Sequence, residues 1–309
     1  MNTQRLSGLC AFHGALALRG IIVTVILALL LPLAVSADMG PKPSVRITLD
    51  GLGGEVCYGT LLSARESTGP ETAWDGKEET ARYREGNPEY EIWKAFVGYE
   101  DADGYYFLQW LQRCDESKSL DWTYYPPSPF KILLYFPESD TFAVSGIYER
   151  YAFDSYFMVD ASRASAEGVL AAVQSYDHTW ETISLLARIV LTILLELAVA
   201  LLFGYRKKKA ILLIALTNVF TQTLLNVLLN IINYNQGPLM FTARYVLLEL
   251  VVFAVEAVLY AALLPRLAGG SPHAEKTRKR SQAVLYALAA NAVSFAAGLL
   301  IAHLIPGIF

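Results

Sequence analysis

Apolar residues gather in this chain into a few long runs and many short ones. Four long runs lie in its second half, at about 183–205, 210–232, 240–264 and 282–305. Each exceeds the roughly 20 helical residues needed to cross a hydrocarbon layer of about 30 Å. They predict an all-α bundle of four transmembrane helices over residues 182–309. A further run, Ile21–Val35, follows Arg5 and Arg19 with no acidic residue before it, and Val35-Ser36-Ala37 ends it in small side chains. That order predicts a secretory signal peptide over 1–37. An uncleaved signal anchor is the alternative, and both send Asp38 outward.

Between these regions the pattern has a period of two. Ser44–Asp50 puts Val45, Ile47 and Leu49 on one face of a strand. Gly51-Leu-Gly-Gly54 reads as a hairpin turn, with Glu55–Ser63 returning. Tyr105–Arg113 follows the turn signal Asp103-Gly104. Phe130–Phe136 and Thr141–Tyr148 flank Pro137–Asp140, and Phe153–Val159 is a further strand. Glu89–Tyr99 fits a helix or a strand. Ala161–Tyr176 reads as a juxtamembrane helix. Repeated short strands with turn signals predict a mainly-β, sandwich-like domain over 38–181. The fold class is therefore a multi-domain membrane protein, an extracytoplasmic β-rich domain followed by a four-helix bundle.

Charge orients the molecule. Residues 38–181 hold 25 acidic and 12 basic residues, a net of −13, while the rest of the chain carries +9. The loop 206–209 is Arg-Lys-Lys-Lys, and 265–281 holds Arg266, Lys276, Arg278, Lys279 and Arg280. Asn233–Leu239 has no charge. The positive-inside rule puts the two basic loops in the cytoplasm and residues 38–181 outside a cell membrane, as the signal segment independently requires. An acidic outer domain excludes nucleic acid as a partner, since phosphate binding needs clustered Lys and Arg.

Candidate chemistry in the outer domain is thin. Cys57 and Cys114 are placed where a disulfide persists, with two separate buried thiols as the alternative. No cysteine–histidine cluster suggests a metal site. Glu100-Asp101-Ala102-Asp103-Gly104 resembles part of a calcium loop but lacks a third ligand before the glycine and a distal Glu. Thirteen of the 18 tyrosines lie in this domain, either as core fillers or as a surface for a glycan or peptide ligand. No catalytic set or cofactor motif is legible.

The spans are more informative. Asn218, Gln222, Asn226 and Asn230 recur every four residues and so share a helical face. Glu249 and Glu256 are seven apart, with Tyr260 one turn on. Glu196 sits in the first span, and Asn291, Ser294 and Gly298 line one face of the fourth. An acidic side chain at mid-membrane costs about 2.5–3.5 kcal/mol on insertion scales, so these carboxyls must face inward. Glu196, Asn218, Gln222, Asn226, Glu249, Glu256 and Asn291 form the candidate intramembrane polar site. They act either as interhelical glue or as a place for an ion, proton or headgroup. Glutamate-type membrane proteases need adjacent glutamates followed by an arginine, a layout absent here.

Three functions fit. The first is an extracellular ligand-binding or sensing domain working with a partner membrane subunit or as a homo-oligomer among membrane lipids. The second is a small transporter or permease-like subunit using the Glu/Asn site. The third is a lipid-acting intramembrane enzyme with a Glu base, which lacks an evident nucleophile or metal.

Overall fold

The computed structural model of the chain describes residues 40–77, 82–268 and 280–304. The signal segment, Cys10 and the loop residues Lys276, Arg278 and Lys279 lie outside the described residues. The chain divides into two units: Pro41–Asp177 with Asn233–Gly237, and His178–Ile232 with the chain from Pro238 onward.

The first unit is rich in sheet. Its elements are β1 (Ser44–Asp50), β2 (Tyr58–Ser63), α1 (Tyr90–Gly98), β3 (Tyr106–Phe107), β4 (Gln112–Arg113), β5 (Ser119–Trp122), β6 (Phe130–Phe136), β7 (Thr141–Ser145), β8 (Asp154–Asp160), α2 (Ala164–Glu167), β9 (Val169–Leu170) and β10 (Ala172–Gln174). One sheet has the order β10-β8-β1-β5, the other β3-β2-β6-β7-β9 with β4 also on β2. Alternation explains how they meet. Val45, Ile47 and Leu49 of β1 share one core with Phe130, Ile132, Leu134 and Phe136 of β6 and with Phe157 and Val159 of β8. The odd positions of β6 face the other way. There Leu133 and Tyr135 pack beneath Trp93 and Phe96 of α1, which makes β6 buried at every residue.

Several expectations change. Glu89–Tyr99 resolves as a helix because its apolar residues Trp93 and Phe96, three apart, fall on one face. Gly51–Gly54 does not close a hairpin. β1 pairs with β5 and in parallel with β8, and β2 pairs with β6, so the turn carries the chain from one sheet to the other. Gly51 holds φ +75°, and a Cβ there would meet Ser162 Cβ at 2.8 Å. Tyr105–Arg113 is not one strand: Gln109, at φ +58°, breaks it into β3 and β4. Ala161–Tyr176 is not a helix. Gly168, left-handed at φ +67°, stops α2 after one turn, and β9 and β10 then pair with β7 and β8. Sheet pairing overrides the local helical signal there.

Cys57 and Cys114 lie together in the sheet unit. The Cys114 N–H donates to the Cys57 carbonyl at 2.8 Å, so the two residues face each other across the strands. Both thiols are nonetheless free and buried. Cys114 Sγ donates to the Gln112 carbonyl at 3.2 Å and Cys57 Sγ lies 3.8 Å from the Tyr58 carbonyl, so each thiol has its own acceptor.

The second unit is four helices, α3 (Thr179–Leu202), α4 (Lys208–Gln236), α5 (Pro238–Ala268) and α6 (Arg280–Leu304), all long and apolar enough to cross a membrane. Their surfaces are inverted relative to a soluble bundle. On α4, Leu212, Leu216, Phe220 and Leu224 form an exposed apolar stripe, while Asn218, Gln222 and Asn226 on the opposite side are buried. On α3, Leu186, Val190 and Leu194 are exposed and Arg188, Thr192 and Glu196 are buried. Such a surface suits hydrocarbon and not water. The chain is a membrane protein.

Candidate functional site

The four-residue spacing on α4 turns a row of amides toward its neighbours, and Asn218 and Asn226 each meet a group from another helix. Asn218 Nδ2 donates to Glu196 Oε2 on α3 at 2.7 Å and lies 3.1 Å from Tyr260 Oη on α5. The Thr221 hydroxyl donates to Glu256 Oε1 on α5 at 2.7 Å, and Asn291 Nδ2 on α6 donates to Oε2 of the same carboxyl at 2.8 Å. These bonds tie all four helices. Glu196 and Glu256 are both fully shielded. Below them Tyr205, Tyr260 and Tyr286 form a buried aromatic cluster with ring centroids 5.3–5.4 Å apart.

A second layer is charged. Arg188 on α3 is 8% exposed and donates from its guanidinium to Asn226 Oδ1 at 3.1 Å, while Asn226 Nδ2 donates to the Gln222 carbonyl at 2.8 Å. Arg188, Gln222, Asn226, Tyr245, Glu249 and Ser294 line one cavity of about 10 Å³, about the space of a single water. At a 1.5 Å rise per residue Arg188 lies about 14 Å from the start of α3. Glu249, half-buried, also lines an apolar groove of about 240 Å³ between α5 and α6, with Asn291 beside it.

The structure thus sorts the seven candidate residues. Glu196, Asn218, Glu256 and Asn291 form buried interhelical ties. Gln222, Asn226 and Glu249 line the small charged cavity. Asn230 is half-buried and apart from both sets. Arg188 and Tyr286 are missing from the sequence reading. Arg188 carries its own signal, as a cation four residues into an apolar run and two turns before Glu196. The ties are short of donors. Glu196 Oε1, Asn218 Oδ1 and Asn291 Oδ1 are buried with no donor among the described residues. A proton, a water or a cation would complete them.

The sheet unit contains a larger opening. The turn after α1 is built on Asp101, whose Oδ2 accepts the N–H groups of Asp103 at 3.0 Å and Tyr105 at 3.2 Å. Lys131, on the outward-facing set of β6, reaches the same carboxylate at 2.8 Å and Asp103 at 2.5 Å. Both Lys131 and Asp101 side chains are nearly inaccessible. Burial alone would raise the Asp101 carboxyl, but the bonds from Lys131, Tyr105 and Asp103 hold it below the usual range. The lysine ammonium therefore sits between the two acids that resemble calcium ligands. Above this turn Trp74, Tyr99, Glu100, Tyr105, Tyr106 and Phe107 line a cavity of about 410 Å³. Trp74 and Tyr106 are 42% and 39% exposed, too open to be core fillers.

No protein-family model matches the chain, and comparison with the curated proteins and with the solved structures found no match.

Proposed function

We propose that this is a multi-pass protein of the cell membrane whose sheet unit, a β-sandwich on the outer side, binds a small ligand, with the bundle as its internally tied anchor. The aromatic cavity over the 99–107 segment carries this reading. Its volume lies within the range of small-molecule pockets, about 300–1,000 Å³. Trp74 and Tyr106 in its wall are open to solvent, while its Phe107 and the core rings are buried. The bundle supports the anchor role, because Glu196 and Glu256 accept hydrogen bonds from neighbouring helices and its polar cavity has room for about one water. Signalling or delivery then falls to a partner membrane subunit or a second copy, since the short basic loops 206–209 and 265–281 leave little cytoplasmic mass. The excess of acid over 38–181 and the basic loops support the same orientation, with 1–37 as the signal segment.

Single-cysteine labelling tests the placement. Cys57 and Cys114 are buried and give little background. A membrane-impermeant maleimide on intact cells is expected to label Ile147→Cys, an exposed loop position, and to leave Lys207→Cys unlabelled until the membrane is opened. The reverse pattern overturns the orientation.

The three unfilled acceptors favour a second reading, a small transporter or permease-like subunit that takes a proton or small cation at Glu196 and Glu256. Reconstituted protein that moves neither protons nor alkali cations removes it.

A further inference from the structure

We propose that the aromatic cavity of the sheet unit binds a small organic ammonium, a quaternary or tertiary amine, held by ring faces and the Glu100 carboxylate. This names the ligand class of the site proposed above and rests on that reading.

The composition of the wall points to a cation. Trp74, Tyr99, Tyr105 and Tyr106 supply aromatic rings, and ring faces attract a cation within about 6 Å of the centroid. Glu100 is an exposed wall residue with no hydrogen bond or ion pair among the described residues, so its charge is available. Asp101 and Asp103 together carry −2 against the single +1 of Lys131, which leaves the floor negative before Glu100 is added. The surrounding domain adds to this field with its net of −13.

The same wall already holds an ammonium from within. Lys131 Nζ lies 5.2 Å from the Tyr105 ring centroid while paired with Asp101. Elsewhere in the unit Lys94 lies over Tyr90 at 5.0 Å and Lys42 over Tyr125 at 5.5 Å. A neutral sugar would use the rings but gain little from the negative field. An anion is repelled by it. A methylated ammonium uses both features, and it is weakly hydrated, so its transfer into an aromatic pocket costs less than that of a metal ion.

Isothermal titration of the full chain in a maltoside detergent tests this with choline and with its uncharged isostere 3,3-dimethylbutan-1-ol. The expected result is saturable choline binding, with the isostere about tenfold weaker or more. Glu100→Gln, an exposed substitution, should weaken choline about threefold to tenfold and leave the isostere unchanged. Trp74→Ala with Tyr106→Ala should abolish choline binding while the unfolding temperature stays near that of the parent. Equal binding of the two compounds, or no choline binding, overturns the ammonium assignment. In either case isostere or chitooligosaccharide binding that disappears in the double variant keeps the pocket as the ligand site. Choline binding that survives the double variant overturns the proposal and the pocket reading together.

Discussion

Lys131 shows what a single residue contributes here. It sits on the central strand of the larger sheet, among six apolar residues of which Leu133 and Tyr135 share its face. Its ammonium is instead the post around which Asp101, Asp103 and the 101–105 turn close, and that turn lines the cavity. Removing one partner of a buried pair typically costs about 3–5 kcal/mol because the other charge stays buried. Lys131→Met is therefore expected to lower the stability of the sheet unit by about that much, and Lys131→Met with Asp101→Asn by clearly less, in chemical unfolding followed by tryptophan fluorescence. A single variant as stable as the parent would remove the post from the account.

The pH dependence of this pair has two arms. Asp101 is lower in the folded protein than its usual 3.8, so its contribution is complete above that value and is lost as the pH falls through the lower folded one. Burial opposes the Lys131 charge, but its bonds to Asp101 and Asp103 prevail and raise it above 10.5. Its contribution is complete below 10.5 and lost above. Stability of the sheet unit is expected to fall below about pH 4 and again above about pH 10.5, and Lys131→Met should flatten both arms. The two thiols make a separate expectation. Burial, with smaller help from Asp115 and Glu55, pushes Cys57 up to about 12, and burial raises Cys114 further. Aromatic disulfide reagents should find no reactive thiol among these two in the native protein at pH 8, and both after unfolding. The capacity of Cys57 and Cys114 to face each other was legible as a pair of cysteines in one compartment. Whether they are thiols or a disulfide was left open there, and the Gln112 and Tyr58 carbonyls beside them are supplied only by the fold.

At the scale of elements, helices were more legible than strands. A span declares itself through about 20 apolar residues, and all four emerge within a few residues of the hydropathy limits. The i, i+4 amides of α4 likewise declared their inward face. Arg188 did not stand out, because one cation in an apolar run gives no periodicity. Strand pairing is set by long-range contacts, so the parallel partnership of β1 with β8 and the short β9 and β10 left no local trace. The polar ties yield an element-scale expectation. Asn218→Ala removes the bond to Glu196 and should cost about 1–2 kcal/mol in thermal unfolding of the bundle. Glu196→Gln keeps the acceptor and brings N–H donors to a site short of them, and should be neutral or stabilising. A strongly destabilised Glu196→Gln would mean that the carboxylate itself is required.

For the molecule as a whole, the inside-out surface of the helices contrasts with the acidic, aromatic sheet unit. The bundle ties its own polar groups together, and the sheet unit keeps open rings and a carboxylate facing solvent. The membrane class and the order of the units were legible from apolar run lengths. The cavity was not, because Trp74 and Tyr106 are 32 residues apart in sequence and meet only through the fold. Ligand binding is proposed to belong to the sheet unit and not to the bundle. Thermal-shift screening of the purified full chain against amines, glycans and short peptides tests it most directly, with Tyr106→Ala and Glu249→Gln run beside the parent. The predicted result is a set of stabilising ligands whose effect is lost in Tyr106→Ala and kept in Glu249→Gln. Ligands kept in Tyr106→Ala and lost in Glu249→Gln would contradict the account and move the site into the membrane.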